Sequence, residues 1–512
     1  MITSYKNPII RGMHPDPSLV RVNDTYYLVN STFEYYPGMT VLSSKDLLNW
    51  KTLGGIAVTP KQADLRSSKS NEGIFAVNIR YHEGYFYVIT TNFAEFKTFI
   101  IRGKLSDDGE TINWEENRVE VDVPGIDPDL YFEDDKTYVQ FTGYIDDRGT
   151  KAIRQVEINL ETGEILDGPK ILTYGTGGRD VEGPHIFKKD GYYYLLMAEG
   201  GTGQGHMITI MRSKDLWGPY KAEDGINPIF TNRDRAEQGI QNVGHADLFT
   251  DSEGNWWMVC LGTRPAASGF KTITNLGRET LLYPVVWRNG WPVINGGVPT
   301  EEVDLSNFPE HAKSLDNLQE LTNFVDNFSE EKLRPEWLTL RDSLKNNLFI
   351  KDNKLHLIGN NKTVSDLSTP AFVGLRQTEH NEKFIVNVDY NLSKFNNGEL
   401  GIVSLIDADN HAAIMVKQNG NEYDVYRDQQ IFDVEINEKI GQLKAKPIEF
   451  KLINTVEEKE FIVKDQKGNV IGFTTDAIHL SNEAIAALNT GDFQGLYAKE
   501  NAEMVVENVK RV

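Results

Sequence analysis

The chain has 512 residues, a net charge of −22 and a single cysteine, Cys260. That length exceeds one ordinary hydrophobic core and asks for two or three domains. The acidic surplus argues against nucleic acid and anionic membrane surfaces as partners, and one cysteine excludes an intrachain disulfide framework and a cysteine-based zinc site.

No basic, apolar leader precedes Asn7-Pro8, and no apolar run reaches the length of a membrane span. The expected location is therefore cytoplasmic, without membrane contact. The first distinctive stretch is Arg11-Gly12-Met13-His14-Pro15-Asp16-Pro17-Ser18, followed by Leu19-Val20. Each proline fixes its own φ and disfavours helix in the residue before it, so His14 and Asp16 are expected to be extended. A turn followed by an aromatic strand comes next, in Asn23-Asp24-Thr25-Tyr26-Tyr27-Leu28. The same phrase returns at Glu83-Gly84-Tyr85, Asp134-Asp135-Lys136, Asp190-Gly191-Tyr192 and Glu253-Gly254-Asn255. Spacings of about 50–65 residues are those of propeller blades with loop insertions. Four short strands per unit, repeated five times, imply a five-bladed β-propeller. Cys260, within Trp256-Trp257-Met258-Val259-Cys260-Leu261, has the setting of a buried strand residue.

Just upstream of each aromatic strand lies the start of a blade's innermost strand. These starts read His14-Pro15-Asp16-Pro17, Phe75-Ala76-Val77-Asn78, Ile126-Asp127-Pro128-Asp129, Val181-Glu182-Gly183-Pro184-His185 and Val243-Gly244-His245-Ala246-Asp247. Innermost strands line the central channel, so Asp16, Asn78, Asp127, Glu182 and His245 are expected to form a ring near one mouth. Converging carboxylates raise one another's pKa, which is costly unless chemistry uses it. No His-Glu-x-x-His, EF-hand loop or Gly-x-Ser-x-Gly elbow is present. Acetal hydrolysis fits the set best, with one carboxylic acid for the leaving oxygen and one carboxylate on the anomeric side. Phe33 and Phe75 would supply flat faces for a sugar.

At these residues the chain resembles glycoside hydrolase family 43, whose members include β-xylosidases, α-L-arabinofuranosidases and arabinanases. The likeness rests on His14-Pro15-Asp16-Pro17-Ser18, Gly125-Ile126-Asp127-Pro128 and Val181-Glu182-Gly183-Pro184-His185, and extends to Ser31-Thr32-Phe33, Ala198-Glu199-Gly200-Gly201-Thr202, Gly244-His245 and Gly277-Arg278-Glu279-Thr280. The resemblance implies Asp16 as general base, Glu182 as general acid and Asp127 as the carboxylate that tunes the acid. It implies sugar contacts from Arg278, with His14, Phe33, Phe75, Asn78 and Thr202 around them. No cofactor is required, although some relatives carry a calcium ion beside the residue matching His245. Phe75-Ala76-Val77-Asn78 departs from the family's frequent Trp-Ala-Pro-Asp, which leaves the exact sugar open.

The propeller reading covers residues 1–295 and a polar linker 296–322. From 323 to 512 strands with alternating apolar residues resume, as in Phe384-Ile385-Val386-Asn387-Val388, and imply a β-sandwich. Gly491-Asp492-Phe493-Gln494-Gly495 resembles part of the concanavalin-like sandwich of the β-xylosidase branch, with Phe493 expected at the channel mouth. The expected activity is inverting, exo-acting release of terminal β-D-xylose from small xylo-oligosaccharides. α-L-Arabinofuranosidase activity on arabinoxylo-oligosaccharides is the alternative, and a non-catalytic sugar-binding propeller is the reading from another class. Monomer and homo-oligomer both remain open.

Overall fold

The computed structural model describes residues 2–315, 317–320 and 323–512. Five antiparallel sheets follow one another along the first part of the chain. Their innermost strands are Ser18–Val22, Asn78–His82, Gly125–Glu133, Glu182–Lys189 and Gln241–Thr250. Each packs on the next, and Gln241–Thr250 packs back on Ser18–Val22, which closes the circle of a propeller. The first, third and fifth sheets have four strands, whereas the second has five and the fourth has three.

The repeated turns explain the regularity. Glu83-Gly84, Asp134-Asp135 and Asp190-Gly191 all take positive φ at both positions, the two-residue geometry whose twist suits a hairpin. Between sheets, alternate aliphatic residues such as Val29, Val41, Ile79 and Val88 are buried together. Cys260 is likewise buried in the strand Trp256–Thr263.

The stretch expected to be a linker is ordered where it is described. Glu302–Asp304 pairs antiparallel with Ser4–Lys6, and a short helix, Pro309–Lys313, buries Ala312 against the propeller core. Residues 316, 321 and 322 of that stretch lie outside the described residues. The second domain is a β-sandwich whose two main sheets are antiparallel and enclose an apolar core. The domains share more than a surface. Leu340 pairs with Tyr35 as a backbone bridge, and Met13, Phe33 and Tyr35 form one apolar cluster with Leu340, Phe372, Phe493 and Tyr497.

Candidate active site

The innermost strands do not begin as plain extended chain. Asp16, Asp127, Gly183 and His245 have φ of 52°, 52°, 58° and 44°, and the ladders slip register at Ile126/Asp129, Glu182/His185 and Gly244/Asp247. A bulge with one left-handed residue re-aims side chains at a sheet's end. The expectation that Asp16 is extended therefore fails, for a tertiary reason. The carbonyls of His14 and Pro15 are both held by Asn30 Nδ2, at 3.0 and 2.9 Å, and the His14 carbonyl also by the Thr280 hydroxyl at 2.8 Å. With the chain pinned on that side, the turn falls at Asp16.

Asp16 is nearly enclosed. Its Oδ1 accepts from Arg278 Nη1 at 2.8 Å, its Oδ2 accepts from the Ser31 hydroxyl at 2.8 Å, and His245 Nδ1 stands 3.8 Å from Oδ1. Burial alone would raise this carboxyl, but the Arg278 guanidinium and the Ser31 hydrogen bond outweigh it and hold it below the ordinary value. Asp127 meets the opposite fate. Burial first, then the charges of Glu182 and Asp16, push it up to about 8, and its one backbone donor is Gly183 N at 3.2 Å. Glu182 is the more open group, with its side chain 14% exposed, Oε2 3.2 Å from Lys151 Nζ and Oε1 3.7 Å from His206 Nε2. Lys151 Nζ also lies 3.5 Å from Asp180 Oδ1.

Burial lowers both His206 and His245 to about 4, so each is neutral near pH 7 and offsets none of the carboxylate charge. The Nε2 of each is buried without a hydrogen-bond partner among the described residues. His206 fits only because position 244 is glycine, since a Cβ there would lie 2.1 Å from its ring.

Among the described residues no three His, Cys, Asp or Glu side chains converge as metal ligands, and no step below passes through an ion. A cation of the protein itself sits nearby. Two residues along each inner strand, or three across the bulge after Glu182, stand Ser18, Arg80, Asp129, His185 and Asp247. Arg80 bonds Asp129 at 2.7 Å and Asp247 at 2.9 Å, His185 Nδ1 lies 3.1 Å from Asp129, and Ser18 donates to Asp247 at 2.8 Å.

Sugar-facing candidates divide into two groups. Arg278 spans Asp16 and the Thr202 hydroxyl, 3.4 Å from Nη1, with its guanidinium 5.5 Å from the Phe33 ring centre. Phe33 leans on Phe75, which stacks on Phe93 at 4.5 Å. Asn78 donates from Nδ2 to the Pro128 carbonyl at 2.5 Å, so it holds the turn after Asp127. His14 is not among them. Pro15 separates it from Asp16, its Nδ1 lies 3.1 Å from the Arg11 carbonyl, and it lines a cavity between the domains.

Phe493 also stands apart. It opens a strand, Phe493–Lys499, is 0% exposed and stacks on Tyr35 at 3.8 Å. The sandwich reaches the site four residues earlier, where the Asn489 carbonyl accepts from Arg278 Nη2 at 3.4 Å. Sequence reasoning passed over Ser31, Lys151, His206 and Asn489 as site residues. The second layer had a usable signal, its two-residue offset from the first.

Comparison with known proteins now bears on this geometry. The family described as "Glycosyl hydrolases family 43" matches residues 5–292, and "Beta xylosidase C-terminal Concanavalin A-like domain" matches residues 325–507. The chain belongs to glycosyl hydrolase family 43. This family 43 enzyme is 33% identical to a non-reducing end alpha-L-arabinofuranosidase of Bacteroides ovatus, over 98% of its own length and 92% of the relative's. It is 37% identical to a xylosidase/arabinosidase of Butyrivibrio fibrisolvens, over 80% and 79%. Among solved structures, "Bacteroides ovatus Xyloglucan PUL GH43B" superposes with a TM-score of 0.87 at 31% identity, covering 99% of both chains. The protein is thus a glycoside hydrolase with xylosidase and arabinofuranosidase relatives, built as a propeller with a concanavalin-like sandwich.

Proposed function

We propose that the enzyme removes one terminal pentose from a small xylo-oligosaccharide by a single displacement with inversion, with β-D-xylose as the sugar. The observation that carries this reading is the opposed electrostatics of Asp16 and Asp127 in one ring. Two carboxyls driven apart in pKa mark Asp16 as the ionised base and Asp127 as the proton-holding neighbour of the acid. Asp16, held ionised by Arg278, is the general base that takes a proton from water as the oxygen attacks the anomeric carbon. Glu182, the most exposed of the three carboxyls, delivers a proton to the departing oxygen. The proton that burial retains at Asp127 is a reserve beside Glu182. Asp180 gives the Lys151 ammonium a partner when Glu182 takes up its proton. Arg278, carried on Phe33 and capped by Asn489, fixes the sugar, and that cap suits a terminal unit better than a through-running polymer.

A second reading is favoured by the Bacteroides ovatus relative, whose name is that of an α-L-arabinofuranosidase. The same carboxyls serve either pentose. Parallel assays of nitrophenyl β-D-xyloside and nitrophenyl α-L-arabinofuranoside decide the sugar, with the larger kcat/KM expected for the xyloside. Proton NMR of early turnover decides the stereochemistry. α-Xylose is expected before mutarotation, because an inverting pair leaves about 6.5–9.5 Å for sugar and water. β-Xylose appearing first would refute Asp16 as general base.

A further inference from the structure

Between the two domains lies a cavity of about 610 Å³, within the range of small-molecule sites, and none of the ring residues lines it. Its walls include Trp50 and His14 from the propeller and Arg376 and Arg511 from the sandwich. Two guanidiniums meet there, and one of them, Arg376, has no carboxylate partner among the described residues. Arg376 is only 5% exposed. Its Nε donates to the Met13 carbonyl at 2.6 Å and its Nη2 to the Thr40 hydroxyl at 3.3 Å, both neutral acceptors. Among the described residues Nη1 has no acceptor, and no carboxylate pairs with this side chain. Arg511 Nη1 donates to the Arg376 carbonyl at 2.9 Å, which keeps the two side chains together. The carboxylate beside Arg511, Glu382, is 3.6 Å from Nε and already accepts from the Thr378 hydroxyl at 2.6 Å. The other arginines of the wall, Arg11 and Arg334, are paired with Glu379 and Glu336.

A buried guanidinium without a counter-charge is expensive, and in a chain of net charge −22 it is out of place. Its planar fork matches a carboxylate or phosphate, which take two parallel hydrogen bonds from it. Trp50 gives its Nε1 to the Leu47 carbonyl at 2.9 Å, so its ring is left as an apolar wall. We propose that this cavity is a second, non-catalytic binding site for a small organic anion, whose carboxylate or phosphate sits against Arg376 and Arg511. The ligand would touch both domains at once. It would also sit behind Met13, three residues before the catalytic Asp16.

Isothermal titration of the full chain with sodium glucuronate and with inorganic phosphate tests this, against sodium chloride at matched ionic strength. Saturable one-to-one binding of at least one of them is expected, and which one binds separates a carboxylate from a phosphate ligand. The affinity should be unchanged in Asp16→Ala, which excludes binding at Arg278, and at least tenfold weaker in Arg511→Met. Arg376→Met should weaken it further; because that change also removes the bond to Met13, the Arg511 variant carries the test. No heat beyond the chloride control for either anion, or equal affinity in Arg511→Met, would overturn the proposal.

Discussion

The two layers of side chains along the propeller channel come from the same five strands, yet they handle charge in opposite ways. In the second layer Arg80 lies between Asp129 and Asp247, with His185 and Ser18 completing the bonds. Every strong charge there has a partner within about 3 Å. In the first layer Asp16 has the Arg278 guanidinium and Glu182 the Lys151 ammonium at 3.2 Å, but Asp127 has a single backbone donor and His245 is neutral. Burial is equally deep in both, so depth does not distinguish structure from catalysis. What distinguishes them is whether the charge is balanced by the protein or left for a substrate and a proton to balance.

Substitutions in the two layers should therefore fail differently. Asp16→Ala should lower kcat by ~10²–10⁴-fold on every substrate, a loss that persists under conditions where the variant is fully folded. A variant as active as the parent would move the base elsewhere. In the second layer, Arg80→Met strands Asp129 and Asp247 and should cost about 3–5 kcal/mol in urea unfolding, the loss expected when a buried charge loses its partner. If it instead lowered kcat with stability intact, the balanced layer would be taking part in the chemistry.

Asp127→Asn sharpens the contrast within the first layer. The folded state raises this carboxyl, so it binds more protons than the unfolded chain, and wild-type stability falls as pH rises from about 4 to about 8. The asparagine variant escapes that loss and should gain on the wild type across this window, by about 1.4 kcal/mol for every pH unit climbed while folded Asp127 keeps its proton. The limb near pH 8 that Asp127's own titration gives the wild-type pH–rate profile should be missing from the variant. Identical pH–stability curves for the two proteins would mean that Asp127 is not held protonated. The smallest effect is expected of Ser31→Ala. Losing its hydrogen bond to ionised Asp16 should raise the acidic limb of kcat/KM by up to about one pH unit, read from a profile between pH 3 and 6.

The sequence showed the first layer because its residues advertise themselves. Asp16-Pro17, Asp127-Pro128 and Gly183-Pro184 are unusual pairs recurring at one point of a repeat, and the hairpin turns fix that point. It hid whatever arrives through tertiary structure. Lys151 comes from the third strand of its sheet, and His206 precedes a third strand, so neither shares the phase of the repeat. The backbone of Asp16 was misread for a similar reason. A local rule for the residue before proline met Asn30 and Thr280, which are distant in sequence and stronger. Phe493 is expected at the channel mouth because flanking glycines can hold a ring away from its own core, whereas its neighbours bury it as a strand residue against Tyr35.

The bond from Arg278 to residue 489 ends on a main-chain oxygen. Replacing the asparagine side chain would leave that acceptor in place, so the second domain's hold on the arginine is written in the path of the loop, which the side chain helps to set through its bond to the Asn71 carbonyl at 3.2 Å. A one-residue insertion or deletion between Asn482 and Asp492 would shift that oxygen away from the guanidinium. Loop length, more than residue identity, is thus the variable by which the sandwich can retune the site.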